Sequence, residues 1–321
     1  MQYRPLGRTG VKVSVIGLGT NRFGSDVVST EDVRTIMDTA ADLGVNFIDS
    51  ANIYTNGASE ETLGAALKGR WDRFVVATKF CLETGTGPND RGGSRYHIQN
   101  ALEDSLRRLQ HDSIDLYYIH RWDPQTPIEE TLRALDDVIR AGKVRYIGAS
   151  EFASWQMAKA NVLAELKGWS TFVALQSHYH MLERGVEQDV LPFCQSEGVG
   201  FVPYFPLAGG FLTGKYERGK PAPAGSRGES SGYVQKYMTD TNYTVIEQLS
   251  GWATARERTV YEVAHAWLLA QPAVCSVISG VTTLEQLQRN ARAGDWTLTD
   301  EEVTEINASL GGDGLGVVGG G

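Results

Sequence analysis

A closed (β/α)8 barrel, the α/β architecture known as the TIM barrel, is the fold this 321-residue chain predicts, and three observations predict it. Short apolar segments end near residues 19, 49, 79, 120, 150, 176, 204 and 278. Most steps are about 30 residues, the length of one strand-plus-helix unit. Stretches with apolar residues at helical spacing lie between them. No segment is followed by a Gly-x-Gly-x-x-Gly turn opening a helix, since Gly17-Leu18-Gly19 has no third glycine in register. An open, doubly wound sheet is therefore the weaker alternative.

In chain order, the turn Gly7-Arg8-Thr9-Gly10 sits between Tyr3–Pro5 and the alternating Val11-Lys12-Val13-Ser14-Val15, which signals an N-terminal β-hairpin. Val15 to Thr20 reads as the first buried strand. Ser29-Thr30-Glu31-Asp32 opens a helix whose Val33, Ile36, Met37 and Ala40 share one face, and Asn46 to Asp49 is the second strand. Ser59 opens the next helix. The strand Phe74–Lys79, a helix over 94–109 and the strand Ile114–His120 follow. Pro127 marks the first turn of a helix that ends at Ala141-Gly142-Lys143. Strands over 144–150, 171–176, 199–204 and 274–278, with helices over 155–166 and 186–197, complete the pattern. The segment Leu207–Tyr243 is rich in Gly, Pro, Ser and charge and reads as a long functional loop after the seventh strand. One domain over 1–310 and a flexible Gly-rich tail over 311–321 are expected.

The totals exclude several classes. A net charge of -9 argues against nonspecific nucleic-acid binding, so an anionic ligand needs a local basic site. Cys81, Cys194 and Cys275 are an odd number at wide spacing, which argues against a disulfide framework or zinc knuckle and fits a reducing cytoplasm. No apolar run approaches the roughly 20 residues of a membrane helix, and the polar start is no signal peptide. Oligomeric state is not legible.

Four polar residues carry the chemistry. Asp49, Lys79 and His120 each end a strand, and Tyr54 lies on the loop leaving the second. In a barrel these ends share one face, where catalysis sits. A buried lysine beside a carboxylate stays charged. Its charge is expected to lower the pKa of a nearby tyrosine and make the phenol a usable proton donor. A histidine at the same mouth suits a carbonyl oxygen. The quartet fits carbonyl reduction. Phe23, Phe80 and Trp122 follow the first, third and fourth strands and are candidate walls of an apolar substrate pocket.

At these residues the chain resembles the aldo-keto reductase family, over roughly 1–310. The matching stretches are Asp49-Ser-Ala-Asn-Ile-Tyr54, Ala77-Thr-Lys79, Tyr118-Ile-His120, Gly17-Leu-Gly-Thr20, Tyr146-Ile-Gly-Ala-Ser150, Gln176, Tyr204 through Tyr216, and Gly280 through Asn290. The resemblance implies a barrel that uses NADPH, or less readily NADH, without a metal, on a small-molecule carbonyl substrate. It implies Tyr54 as general acid, Lys79 and Asp49 as its tuning pair, and His120 as the group that orients the carbonyl. Cofactor contacts are implied for Thr20, Asp49, Ser150, Gln176, Tyr204, Pro206, Leu207, Ala208, Lys215, Arg227, Gly280, Thr282, Gln286 and Asn290, with Arg289 a further candidate.

The chain departs from the common pattern at Glu151, Phe205 and Ser279, which stand where asparagine or arginine, serine and proline are usual. Gly280, Val281 and Gln286 occupy the positions of a lysine-serine pair and an arginine. That places the chain with the glycine-type subset, similar to bacterial aldo/keto reductases and potassium-channel β subunits. Two other functions fit the same residues: a catalytically weak NADP(H)-binding regulatory subunit, and a lyase using Lys79 as a Schiff base. The histidine at position 120 favours turnover over the first. A carboxylate that keeps Lys79 protonated argues against the second.

Overall fold

Strands β1 (Tyr3–Pro5) and β2 (Lys12–Ser14) form the antiparallel hairpin, with Tyr3 opposite Ser14. The barrel strands are β3 (Ile16–Gly19), β4 (Phe47–Asp49), β5 (Val75–Phe80), β6 (Ile114–Ile119), β7 (Val144–Ser150), β8 (Phe172–His178), β9 (Gly200–Tyr204) and β10 (Val277–Gly280). All neighbours are parallel, and β10 closes the ring between β9 and β3. This is a computed structural model that describes residues 1–311, so the tail expected at 311–321 lies, from residue 312 on, outside the described residues.

The helical layer comprises α1 (Thr30–Asp42), α2 (Ala58–Leu67), α3 (Arg95–Leu109), α4 (Ile128–Arg140), α5 (Ser154–Lys167) and α6 (Val190–Glu197). It continues with α7 (Arg227–Ser230), α8 (Gly232–Gln235), α9 (Asp240–Thr254), α10 (Val260–Leu269), α11 (Leu284–Ala293) and α12 (Asp300–Ser309). Local chemistry accounts for the starts. Ser29 and Asp32 exchange side-chain and backbone hydrogen bonds in a capping box, and the four apolar residues expected to face inward from α1 are buried. Pro127 is the N-cap of α4, one position before the first turn. The helix expected from Val186 begins only at Val190, because a 3-10 turn over Gly185–Glu187 precedes it. The long segment after β9 is not structureless. It holds a 3-10 turn over Ala208–Thr213, then α7 and α8, and runs into α9.

Strand alternation divides the core in two. Phe47, Ala77, Leu116, Tyr118, Ala174, Val202 and Ile278 fill the barrel interior with Leu6 and Val13 of the hairpin beneath them. Val76, Phe80, Tyr117 and Ile119 face outward against the helices. The hairpin closes the amino-terminal mouth. Gly7 lies there at φ +58, so close to β8 and β9 that a Cβ would sit 2.4 Å from the Val173 carbonyl oxygen and 2.9 Å from the Gly200 nitrogen. At the opposite end, loops leaving β3 to β10 form the rim that carries the polar residues.

Gly148 of β7 clears space for the Tyr118 ring inside the barrel, where an added Cβ would fall 2.4 Å from Tyr118 Cε1. Gly148→Ala should therefore lower stability by about 1–3 kcal/mol through overpacking. Urea unfolding measures this, and an unchanged midpoint would mean that the ring moves aside freely.

Candidate active site

Asp49 closes β4 with its side chain almost fully buried, and Lys79 is fully buried one strand away on the inward face of β5. Lys79 Nζ donates to Asp49 Oδ1 at 2.8 Å and Oδ2 at 2.7 Å, to the Ser50 carbonyl at 2.8 Å, and to Tyr54 Oη at 3.3 Å. Burial alone would discharge the ammonium. The Asp49 carboxylate and the hydrogen bonds outweigh it and raise the Lys79 pKa. Gln176 of β8 adds a donor, its Nε2 lying 2.9 Å from Asp49 Oδ1.

Tyr54 opens a 3-10 turn over Tyr54–Gly57 in which Thr55 (φ 47) and Asn56 (φ 54) are left-handed without being glycine. For a β-branched residue such a backbone costs on the order of 1 kcal/mol or more, so the turn must be pinned. Thr55 Oγ1 donates to the Phe23 carbonyl at 2.6 Å. A buried hydroxyl cluster fixes its base: Thr20 Oγ1 lies 2.9 Å from Ser59 Oγ, Ser50 Oγ lies 3.1 Å from it, and Ser59 Oγ donates to the Thr20 carbonyl at 2.9 Å.

The expected lowering of the Tyr54 pKa is not what the geometry produces. Burial raises it, and the opposing charge of Lys79 recovers only part of that shift. His120 stands edge-on to Tyr54, with ring centroids 6.1 Å apart. Its pKa falls to about 3, first through burial and then through Lys79 and Arg121. Its Nδ1 is buried with no hydrogen-bond partner among the described residues. The rim thus holds a charged lysine, a neutral phenol and a neutral imidazole.

Other expected site residues fall into three groups. Ser150 and Gln176 are paired across β7 and β8, both buried. Tyr204 is half-buried with its ring stacked on His178 at 5.4 Å and 20°. Pro206, Leu207 and Ala208 follow it, Ala208 at φ 49. Lys215 reaches over the Tyr216 ring and has no carboxylate partner among the described residues, and the same holds for Arg227. The Arg227 pKa is lowered, first by desolvation and then by repulsion from Arg22. Gly280 is exposed and open, with only Asn21 Oδ1 near, 3.7 Å from where a Cβ would stand.

In the second group, Thr20, Thr282 and Gln286 have side-chain hydrogen bonds committed within the protein. The Thr20 hydroxyl is fully buried and bonds Asp49 O at 3.0 Å as well as Ser59. Gln286 Oε1 accepts from Thr282 N at 2.8 Å and Thr282 Oγ1 at 3.0 Å. Asn290 is buried, while Arg289 is exposed and lies over the Tyr261 ring at 4.1 Å. In the third group, Phe80 and Phe23 lie away from the rim. Phe80 points outward by strand alternation and packs on Tyr117 at 4.8 Å, and Phe23 is wholly buried in the outer core. Trp122 does stand at the rim, edge-on to Phe152 at 5.2 Å and tilted against Trp155 at 5.7 Å. Trp155, 59% exposed in the first turn of α5, is a site residue that sequence reasoning missed, although its place five residues after Ser150, the end of the fifth barrel strand, was a usable signal.

Groups that suit a phosphate-bearing ligand are present. Cations without counter-charge, an open glycine at the end of β10, and an unpartnered buried imidazole nitrogen fit a phosphate-bearing ligand with a reactive ring near His120. Among the described residues no three His, Cys, Asp or Glu side chains gather as a metal site. No helix among them is long and apolar enough to cross a membrane.

Comparison with known proteins agrees with this geometry. The profile of the Aldo/keto reductase family matches residues 15–310. An uncharacterized oxidoreductase, YrpG, of Bacillus subtilis is 38% identical over 98% of this chain and 97% of its own length. A protein named probable voltage-gated potassium channel subunit beta, of Arabidopsis thaliana, is 37% identical over 92% of both chains. The L-glyceraldehyde 3-phosphate reductase of Escherichia coli K12 is 32% identical over 97% of this chain and 92% of its own.

The depressed His120 pKa has a stability consequence. Between about 3 and the ordinary 6.5 the unfolded chain binds more protons than the folded one at this residue. His120 therefore contributes stability that is present at neutral pH and lost as pH falls through that window. His120→Asn should flatten the fall of the urea midpoint on acidification relative to the parent, and identical slopes would contradict a neutral buried His120.

Proposed function

Since the chain belongs to the aldo/keto reductase family, we propose that it is an NADPH-dependent oxidoreductase that reduces aldehyde or ketone carbonyls to alcohols. One observation carries the reading. Lys79 donates to the oxygen of Tyr54, so the proton of that hydroxyl is left free to go to another acceptor.

The nicotinamide cofactor, when bound, supplies the hydride. The chain's own residues supply the proton and hold the charges. A raised pKa keeps Tyr54 protonated at neutral pH, as an acid must be. Once its proton moves to the carbonyl oxygen, the phenolate is left 3.3 Å from the Lys79 ammonium, in surroundings where that attraction is little screened. Asp49 keeps the ammonium charged. Neutral His120 polarises the same oxygen through a ring N–H and cannot compete for the proton. Ser150 and Gln176 suit the carboxamide of the cofactor, Tyr204 the face of its ring, and Lys215 and Arg227 its phosphates. The wall of Trp122 and Trp155 suits substrates with an apolar or aromatic body.

A second reading is a nucleotide-binding subunit with weak turnover, favoured by the similarity to a protein named as a potassium-channel β subunit. Loss of NADPH absorbance with an aromatic aldehyde separates the two, since only the reductase reading expects multiple turnovers.

Tyr54→Phe should bind NADPH as the parent does and reduce aldehydes about 10²–10⁴-fold more slowly. Near-parental turnover would remove Tyr54 from the acid role. Arg227→Ala should weaken NADPH binding by about tenfold or more and NADH by clearly less. Titration of both nucleotides tests this, and equal weakening would show that Arg227 does not read the extra phosphate.

A further inference from the structure

The reading of Tyr54 as proton donor leaves open what holds its hydroxyl within reach of Lys79. The contact is 3.3 Å, at the long end of a hydrogen bond, so a shift of a few tenths of an ångström would break it. The turn that carries Tyr54 is left-handed at successive residues, and the pins already described, Thr55 to the Phe23 carbonyl and the hydroxyl cluster of Thr20, Ser50 and Ser59, tie it to the segments after β3 and β4 and not to the strand of Lys79. We propose that Glu60 is the positioning residue that ties the Tyr54 turn to the Lys79 strand, acting through Arg108.

Glu60 sits in the first turn of α2, where an acid ordinarily faces solvent and complements the helix terminus. Here it is fully buried. Its Oε1 accepts from Thr78 Oγ1 at 2.5 Å, and Thr78 is the residue next to Lys79. Its Oε2 accepts from Arg108 Nε at 2.7 Å, across from α3. Arg108 in turn lies against Gly57, the last residue of the Tyr54 turn: a Cβ at Gly57 would stand 3.1 Å from Arg108 Cδ and 3.3 Å from its Nε. The backbone of Arg108 is itself fixed, since a Cβ at Gly64 of α2 would lie 2.5 Å from the Arg108 carbonyl oxygen.

One carboxylate thus joins the strand bearing the ammonium to the side chain that backs the turn bearing the phenol. Removing it strands a buried hydroxyl and a largely buried guanidinium, and neither has a substitute partner among the described residues. The turn then relaxes away from Lys79. The effect appears at Tyr54 rather than at Ser150, Gln176, Tyr204, Lys215 and Arg227, which lie on other strands and loops.

The test uses the full-length protein with Glu60→Gln and Arg108→Lys. Glu60→Gln retains a group able to bond Thr78 but loses the charge. Arg108→Lys retains a charge for Glu60 without the guanidinium fork and guards against a Glu60 variant that does not fold. Spectroscopic titration of Tyr54, taken as the difference between each variant with and without Tyr54→Phe, reads the phenol directly and needs no turnover. In Glu60→Gln the Tyr54 titration should move upward as the ammonium recedes. The kcat for an aldehyde should fall about 10- to 100-fold, with KM and NADPH Kd within about twofold. Arg108→Lys should fall between Glu60→Gln and the parent. A lower melting temperature with an unmoved Tyr54 titration would overturn the proposal, because a merely structural ion pair gives that result. If neither the parent nor any variant reduces carbonyls while the titration still shifts, the positioning stands and the reductase reading fails.

Discussion

The buried pair of Lys79 and Asp49 is the constraint to which the rest of this molecule answers. An ammonium with no solvent exposure, inside a barrel otherwise filled by Phe47, Leu116 and Tyr118, is tolerable only if its hydrogens are matched and its charge is balanced. Both conditions are met by neighbours from other strands. Asp49 comes from β4, and Gln176 from β8 steadies the carboxylate across the barrel. Closing the ring of strands is what brings Asp49 and Gln176, 127 residues apart, within 2.9 Å. The ion pair also sets the state of its surroundings. It keeps the imidazole of His120 neutral by repulsion added to burial, and it holds the Tyr54 oxygen as an acceptor.

Around that centre the rim is conformationally strained in a consistent way. Thr55 and Asn56 after β4, Cys81 after β5, Glu151 after β7, and Phe205 and Ala208 after β9 all adopt left-handed backbone angles without being glycine. Such residues persist where packing over-determines them, and they gather where chains leave strands to build sites. Glu151 shows how. Its left-handed backbone bonds Gln176 O through its own N–H at 2.9 Å, and its carboxylate receives the backbone N–H of His178 at 3.0 Å. The residue that breaks the family pattern beside Ser150 is therefore held by β8, next to the ring on which Tyr204 stacks. At Ser279, another departure, the hydroxyl sits 2.9 Å from His265 Nε2. The imidazole donates through Nδ1 to the Tyr261 carbonyl at 2.9 Å, so Ser279 is the donor to Nε2. Proline could not make that link between barrel and helix.

Strand order, the hairpin and the convergence of Asp49, Tyr54, Lys79 and His120 at one rim were legible because they rest on local signals. Apolar runs, turn glycines and polar strand ends survive reading one segment at a time. What was not legible depends on direction or on distance. Phe80 follows Lys79 directly, yet alternation sends it to the opposite face, so proximity to the site in sequence did not make it a pocket wall. Thr20, Thr282 and Gln286 stand at matching positions, but their polar atoms satisfy internal partners, which no single stretch reveals. Nothing in the sequence around Glu60 singles it out from other first-turn acids, because its partners Thr78 and Arg108 are 18 and 48 residues away. The direction of the Tyr54 shift was misjudged for a related reason: the pull of Lys79 was visible in the sequence, whereas the depth of burial opposing it was not.

The hairpin under the barrel has a consequence for traffic at the site. Leu6 and Val13 seal the lower mouth beneath Phe47, Leu116 and Tyr118, and the Tyr118 hydroxyl, fully enclosed, meets no hydrogen-bond partner among the described residues. A chain of hydrogen bonds is what relays protons through protein, and these apolar side chains and the unpartnered Tyr118 hydroxyl supply no link in one. Under the proposed reading, a proton that Tyr54 gives up is replenished from the rim, past His120, so the opening that admits the carbonyl also sets the supply line for acid.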